Sequence, residues 1–273
     1  MQGRVIFLLA TPESGAEQVL AALDCLTGVS AAPVPTHVFS QGIESLLDTW
    51  LSRTKEALGD KADDARFFAD VRRLADAPLA ARLDATGTDR VVEYSHDHIR
   101  LAGPMMVLYP DAQFLHVIRD GRQVVANLAS PLLSWAPFEA ARRWCDDQRA
   151  AIALWERANL HAVRIEDLRD DPAAGLTDLA AQLGLAPSTD DLAAAANVLG
   201  DGARPLPHDA GDRHANLVDV LGPDVLAACG YEPSEPTRVG RWVAQAQLSG
   251  AGEVGWAVLG AARRFQAARK GAD

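Results

Sequence analysis

The 273-residue sequence has few cysteines and no long apolar run. Its three cysteines, Cys25, Cys145 and Cys229, lie far apart, and none belongs to a CxxC pair or to a cysteine–histidine cluster with zinc-ligand spacing. This pattern argues against a disulfide framework and a structural zinc ion, so we predict no metal. A reducing cytoplasm is therefore the default location.

The longest apolar run near the start covers residues 5–10. It is too short for a signal-peptide core, and a membrane-spanning helix needs about twenty apolar residues. We therefore predict a buried strand at this position and no membrane span. The formal net charge of -11, from 37 acidic and 26 basic residues, argues against a nucleic-acid or anionic-membrane binder, since both need a basic face.

Lysine is scarce, because only Lys55, Lys61 and Lys270 carry it and the other 23 of the 26 basic residues are arginine. A codon bias accounts for this composition as a whole. Its local consequence is chemical, because a site in the first two hundred residues that needs an ammonium group has only Lys55 and Lys61 available.

Short apolar segments alternate with longer segments of helical spacing along the chain. Strands are predicted at residues 4–9, 90–94, 113–118 and 161–165, and helices at residues 16–26, 42–83, 99–108, 138–159, and 172–183 with a cap at Gly184. Strands separated by helices imply a parallel sheet covered on both faces. The prediction is an α/β fold with a three-layer, doubly wound sheet. Residues 200–222 are predicted to form a long loop or lid.

The carboxyl ends of parallel strands meet at one edge of a sheet, where ligands bind. We therefore expect the loops at residues 11–17, 94–98, 119–122 and 166–170 to converge. The first loop joins a strand to a helix N-terminus, and its Thr11, Ser14 and Gly15 suit an anion because small residues let it approach the backbone. The loop has no GxxxxGK[ST] pattern, which disfavours ATP and GTP kinases.

Several segments, read together, resemble the sulfotransferase family. Residues 114–127, FLHVIRDGRQVVAN, are similar to the family's "hviRDPRdvvaS", and residues 164–168, RIEDL, to its "RYEDL". Residues 109–112, YPDA, resemble "fPdAk", and residues 230–232, GYE, resemble the closing "lGYe". LATPESG at residues 9–15 occupies the place of "PKSGTT", the family's 5′-phosphosulfate loop. These segments follow the family's order over residues 5–232.

The resemblance implies a P-loop NTPase-like sulfotransferase fold of a bacterial biosynthetic type. Such a protein binds PAPS (3′-phosphoadenylyl sulfate), transfers its sulfuryl group to a hydroxyl or amine of a small-molecule or glycan acceptor, and releases PAP. Carried over by position, the donor-binding residues are Thr11, Ser14, Gly15, Ala16, Glu17, Arg119, Asn127 and, in the lid, Arg213. Asn127 stands where a Ser is usual, and it can still donate a hydrogen bond to a phosphate oxygen.

The resemblance offers two bases for the acceptor proton. Residues 94–96, YSH, align with the family's "KTH", which makes His96 the catalytic base, and the same register places Glu93 on the Glu of "EKTP". Histidine titrates near neutral pH, whereas a glutamate needs burial to raise its pKa. His96 is preferred to Glu93, and His98 and His37 are further alternatives.

The sequence departs from the family where a cation is expected. Glu13 replaces the loop's Lys or Arg, Tyr94 replaces the Lys of "KTH", and Ala16 and Glu17 replace a pair of threonines. Carboxylates at a helix N-terminus stabilise the helix but repel an incoming dianion. The candidate replacement cations are Arg122, Arg204 and Arg213.

These departures leave three interpretations open: a sulfotransferase, a non-catalytic sulfotransferase-like binding protein, and a transferase that uses another anionic donor such as an aryl sulfate. Residues 1–238 are predicted to form the sulfotransferase-like domain and residues 239–273 a helical extension. This extension either packs over the acceptor cleft or pairs two subunits in a homodimer, and the sequence does not choose between them.

Overall fold

The computed structural model describes residues 1, 3–31, 38–201 and 217–235. They fall into two compact units, the first built from residues 1–119 and 146–201 and the second from residues 120–145 and 217–235. The predicted C-terminal extension lies outside the described residues, as does most of the predicted lid. Its last part, residues 217–221, is helical.

One parallel sheet of five strands forms the centre of the first unit, in the order β2-β3-β1-β4-β5. The strands are β1 Val5–Leu9, β2 Val29–Ser30, β3 Arg90–Tyr94, β4 Gln113–Ile118 and β5 Leu160–Arg164. Four of them were predicted from the sequence. The fifth, β2, has only two residues, which is too short to show a strand's alternating pattern.

The apolar run at the start of the chain forms the central strand. All five residues of β1 are buried, because β1 pairs with β3 on one side and with β4 on the other and both of its faces are covered. The register places Leu8 beside Tyr94 and Leu9 beside His116. The carboxyl ends of the three middle strands are therefore adjacent.

Helices account for most of the remaining chain. They are α1 Ala16–Asp24, α2 Glu44–Thr49, α3 Lys55–Leu58, α4 Asp64–Thr86, α5 His98–Leu108, α6 Gly121–Leu128, α7 Pro137–Ile152, α8 Ile165–Asp170, α9 Pro172–Gln182, α10 Thr189–Asp201, α11 at residues 217–221 and α12 Pro223–Ala228. The short helical turns Val38–Ile43, Trp50–Thr54 and Gly59–Lys61 surround α2 and α3. The continuous helical region predicted at residues 42–83 is thus broken into several pieces.

Helices cover both faces of the sheet. On one face, side chains of α1, α9 and α10 join Ile6 and Leu8 in an apolar cluster. On the other face, side chains of α4 and α5 pack with Val5, Phe7 and Leu9. Three layers around a parallel sheet confirm the predicted doubly wound α/β fold.

The order of the strands places a topological switch point between β1 and β4. The connection that follows β1 leads toward β2, whereas β5, the strand that follows β4, lies on the opposite side of the sheet. In doubly wound sheets, ligands bind outside the carboxyl ends of two such strands. The β1–α1 loop and the end of β4 at Ile118 therefore flank the position where a ligand is expected.

Two boundaries near β5 differ from prediction. The helix predicted to reach Asn159 ends at Ile152, because tight turns follow and the indole of Trp155 donates a hydrogen bond to Nδ1 of His116 in β4 at 3.1 Å. The segment at residues 166–170, predicted as a loop, is the short helix α8. In contrast, α9 begins at Pro172 and is followed by Gly184 with φ +66°, as predicted.

The second unit is held by close contacts at two glycines. A Cβ atom on Gly121 would lie 2.6 Å from the ring of Trp144, and one on Gly222 would lie 2.6 Å from Sγ of Cys145. Distances this short leave no room for a side chain. Both glycines therefore let neighbouring segments approach α7.

Candidate functional site

The loop between β1 and α1 has an unusual backbone. Glu13 and Gly15 both adopt left-handed conformations, with φ values of 67° and 86°. The Ser14 N–H donates to the carbonyl of Thr11 at 3.2 Å, and the Gly15 carbonyl accepts from the N–H of Gln18 at 3.1 Å to open the helix. The loop thus forms a tight turn at a helix N-terminus, a place that favours anions.

Gly15 is required at its position for two reasons. Its left-handed φ costs any other L-residue about 1–2 kcal/mol. In addition, a Cβ atom there would lie 2.8 Å from Cγ1 of Ile165, which is fully buried at the start of α8. The loop therefore rests directly on the segment that follows β5.

Ser14 has a hydroxyl group whose hydrogen-bonding capacity is unused. The residue is fully buried, and its Oγ has no hydrogen-bond partner among the described residues. Leaving a buried hydroxyl without a partner costs about 1–3 kcal/mol. A bound oxyanion would remove this cost by accepting its hydrogen.

Arg119 connects the end of β4 to the same loop. It is 6% exposed, and its Nη1 donates to the carbonyl oxygen of Glu13 at 2.9 Å. The structure therefore brings Ser14, Gly15 and Arg119 together, as the sequence predicted. Of the other predicted loop residues, Ala16 is buried and Glu17 is exposed in the first turn of α1.

The hydroxyl of Thr11 is held by a buried polar network. Its hydroxyl accepts a hydrogen bond from Nε2 of Gln148 at 3.1 Å, and both residues are fully buried. Gln148 also lies near His116, whose Nδ1 accepts a hydrogen bond from the indole of Trp155 at 3.1 Å. Burial lowers the pKa of His116 to about 3, although the nearby Gln148 opposes this shift. His116 is therefore a neutral support of the loop at physiological pH.

Arg169, which sequence reasoning missed, also contacts this region. It lies in the last turn of α8, and its Nη2 donates to Oε1 of Gln18 in the first turn of α1. The missed signal was spacing: Arg169 follows Ile165 by four residues, so both lie on one face of α8. The RIEDL motif ends one residue too early to include it.

The end of β3 carries the two predicted bases. Tyr94 is 5% exposed, and its hydroxyl lies 2.5 Å from Nδ1 of His96, whose ring is exposed. The same hydroxyl donates to Oε1 of Glu17 at 3.5 Å. Tyr94 thus connects His96 to the first turn of α1.

Glu93 has a different environment. It is fully buried, and its Oε2 lies 3.6 Å from Nη1 of Arg82 on α4. Arg82 also donates to the hydroxyl and the carbonyl of Ser30 in β2, each at 3.0 Å. Burial lowers the pKa of Arg82, and the charge of Glu93 opposes that shift. The ion pair connects α4 to β3, and the two hydrogen bonds connect it to β2.

Two predicted residues lie in the second unit. Asn127 is half-buried in the last turn of α6. Arg122 pairs with Asp120 at 2.8 Å and with Asp219 at 3.8 Å, and it also donates to Ser234 Oγ at 3.0 Å. The hydrogen bond to Asp120 raises the pKa of Arg122. Two carboxylates therefore already neutralise this candidate cation.

The remaining candidates add little to the described site. His98 is fully buried, and its ring packs edge-on against Phe7 and Phe39. Arg204, Arg213 and His37 lie outside the described residues. Within the described ranges, no group of three or more His, Cys, Asp or Glu side chains is arranged to hold a metal ion. No helix in the same ranges is long and apolar enough to cross a membrane.

Solved structures with a similar fold are sulfotransferase domains. The domain from the Synechococcus PCC 7002 olefin synthase is 20% identical, with a TM-score of 0.54 over 83% of this chain and 93% of that one. The domain from the curacin biosynthetic pathway is 16% identical, with a TM-score of 0.52 over 84% and 98%. Sulfotransferase STF9 from Mycobacterium avium is 13% identical, with a TM-score of 0.52 over 86% and 78%.

At these identities the structural likeness shows the fold, which is P-loop NTPase-like. The sequence matches none of the curated proteins. The profile of the sulfotransferase family, however, matches residues 6–191. This match covers more than half of the sequence and includes the loop, the end of β4 and the RIEDL motif. The chain therefore belongs to the sulfotransferase family.

Proposed function

We propose that this protein is a PAPS-dependent sulfotransferase that acts on a hydroxyl or amine of a small-molecule or glycan acceptor. The observation that carries the proposal is the buried hydroxyl of Ser14, which lacks a partner among the described residues and lies in a left-handed loop at the N-terminus of α1. The guanidinium of Arg119 is bonded to that same loop. Together these groups suit a donor that carries anionic groups at two positions.

The residues present fit the donor that the family uses. The N–H groups of the β1–α1 loop and the hydroxyl of Ser14 would hold the 5′-phosphosulfate, with Thr11, Ala16 and Glu17 shaping the loop around it. Arg119 would hold the 3′-phosphate, while Asn127 and the lid residue Arg213 stay predictions from the sequence. When bound, PAPS supplies an activated sulfuryl group and leaves as PAP.

We assign the role of general base to His96. The hydroxyl of Tyr94 lies 2.5 Å from Nδ1 of His96 and holds the exposed imidazole in place through that nitrogen. An imidazole suits proton transfer near neutral pH, so His96 would accept the proton that the acceptor hydroxyl or amine loses. Tyr94, which stands at the position of a family lysine, is therefore a positioning residue.

Glu93 is less suited to this role. Its carboxylate is buried and lies 3.6 Å from Arg82, which also bonds to Ser30. Protonating such a carboxylate removes its attraction for Arg82 and leaves that partly buried cation with only the smaller effect of Asp24. We therefore propose a structural role for Glu93, with catalysis as the alternative that a substitution can test.

Titration of the wild-type protein with PAP by calorimetry tests the donor assignment. We expect saturable binding well below millimolar PAP, and absence of heat at millimolar PAP would overturn the proposal and favour another anionic donor. Incubation with ³⁵S-labelled PAPS and a panel of phenols, alcohols, amines and glycans then tests catalysis. PAP binding without labelled product from any of them would favour the non-catalytic binding protein.

We further propose that the protein is located in the cytoplasm. The three cysteines form no disulfide with one another, which suits a reducing compartment. A bacterial biosynthetic role, the domain boundary at residue 238 and the homodimer rest on the sequence. Size-exclusion chromatography with light scattering would decide the oligomeric state.

A further inference from the structure

The donor loop needs a source of positive charge beyond Arg119. Its own sequence contributes the carboxylates of Glu13 and Glu17, and Tyr94 occupies the neighbouring position where the family has a lysine. Arg122, a candidate from the sequence, already pairs with two aspartates. A dianion bound at this loop would otherwise meet more negative than positive charge.

Arg169 reaches the loop from the side of β5. Its guanidinium donates to the side chain of Gln18, three residues after Gly15, while the guanidinium of Arg119 donates to the carbonyl of Glu13, two residues before it. The guanidinium groups of Arg119 and Arg169 are thus bonded on either side of Ser14 and Gly15, one to the loop and the other to the first turn of α1.

Arg169 forms no ion pair with any of the described residues, and its Nε is buried without a hydrogen-bond partner among them. Burial lowers the pKa of Arg169, and the positive charge of Arg119 lowers it further, while Glu166 opposes both effects. Two like charges in this arrangement, with an unused donor on one of them, call for an anion between or beside them.

We propose that Arg169 binds the 5′-phosphosulfate of the donor and replaces the cation that the β1–α1 loop lacks. This inference rests on the proposed function and names one further binding residue of that site. Two unused donors lie beside the N-terminus of α1: the hydroxyl of Ser14, in the loop before the helix, and Nε of Arg169, whose guanidinium bonds to Gln18 in the first turn. An anion at this helix N-terminus would give both donors a partner.

Phosphate position makes the proposal testable, because PAP carries a 5′- and a 3′-phosphate while AMP and 3′-AMP carry one each. The three ligands are titrated into wild type and Arg169→Met, with the weaker two measured by competition against PAP. Loss of a charge-assisted bond should weaken PAP and AMP by roughly ten- to a hundredfold. Binding of 3′-AMP should stay within about twofold of wild type.

Two further variants serve as controls. Arg73→Met removes an exposed arginine of α4 that pairs with Asp70, and it should leave all three affinities unchanged. Arg169→Lys keeps the charge on a shorter and less branched group, so it should show the same 5′-selective loss in weaker form. This conservative variant keeps the test valid if Arg169→Met folds poorly.

Each result has one meaning. Selective loss of PAP and AMP supports the proposal, whereas unchanged affinity, loss confined to 3′-AMP, or equal loss of all three ligands overturns it. If wild type itself does not bind PAP, the proposed function fails. If wild type binds PAP and the variants bind it equally well, only the assignment of Arg169 fails.

Discussion

The carboxyl ends of β1 and β3 are neighbours in the sheet, yet their polar side chains differ in how they are satisfied. In the loop after β1, the buried hydroxyl of Ser14 has no partner among the described residues, and the same is true of Nε of Arg169 in α8, which contacts the first turn of α1. At the end of β3, Tyr94 bonds to His96, and Glu93 forms an ion pair with Arg82. Folded proteins pair most of their buried polar groups. The loop after β1 therefore offers unused hydrogen-bond donors to a ligand, whereas the end of β3 presents the proposed base His96 held by Tyr94.

The largest effect should come from His96. We expect His96→Ala to lower turnover by about 10²–10⁴-fold, the range for loss of a general base, with PAP affinity unchanged. Glu93→Gln should instead keep turnover near wild type and lower the free energy of unfolding by about 1–3 kcal/mol, because the buried Arg82 loses its charged partner. Labelled-sulfate assays and urea unfolding measure the two effects. The reverse pattern would make Glu93 the base.

Gly15→Ala should disrupt the β1–α1 loop, where we expect the ligand to bind. The left-handed backbone and the 2.8 Å approach to Ile165 together cost about 3 kcal/mol of unfolding free energy, and PAP binding should be lost. Gly87→Ala is the matched control, because Gly87 has φ +67° but nothing within 4 Å of its Cβ position, so about 1 kcal/mol is expected. Equal destabilisation of the two variants would show that Ile165 does not constrain the loop.

His116, which lies beneath the β1–α1 loop, should make the stability of the protein depend on pH. Its folded-state pKa of about 3 lies below the ordinary value of 6.5, so between these values the unfolded chain binds a proton that the folded protein does not. Stability should therefore fall as the pH is lowered through this window, by up to about 1.4 kcal/mol per pH unit, or about 2 kcal/mol at pH 5. Urea unfolding at pH 7 and pH 5 should show a smaller difference for His116→Gln. An unchanged difference would assign the acid sensitivity to other groups.

Tyr94→Phe should produce the smallest effect and test the contact between Tyr94 and His96 at the end of β3. Removing the hydroxyl takes away the contact at Nδ1 that holds the His96 ring, so we expect about tenfold lower turnover with PAP affinity within twofold. Tyr109→Phe is the matched control, because it removes a buried hydroxyl that bonds to Asp76 on α4. A loss of stability without a loss of turnover would limit Tyr94 to packing.

Features that repeat along the chain were predictable from the sequence, and features that depend on one distant contact were not. The apolar run of β1 and the Pro172 and Gly184 signals of α9 are local, and the structure confirms them. The end of α7 was wrong, because Trp155 leaves the helical path to bond with His116, a residue far away in the sequence.

The candidate site shows the same division. Ser14, Gly15 and Arg119 were predictable because short motifs carry them, and the structure brings them together. The roles of Gln148 and Arg169 depend on contacts with residues more than a hundred positions away, at Thr11 and Gln18. No local pattern in a single sequence contains such contacts.

The short helix α8 has a consequence for engineering the β1–α1 loop. Its first residue, Ile165, sets how deeply the β1–α1 loop can settle, and Arg169, one turn later, brings positive charge to that loop. The first residue of α8 therefore limits the shape of the loop, and the last turn of the helix supplies a positive charge to it. Donor preference should be easier to alter by redesigning these six residues than by changing the strained loop itself, where left-handed backbone restricts the residues that fit.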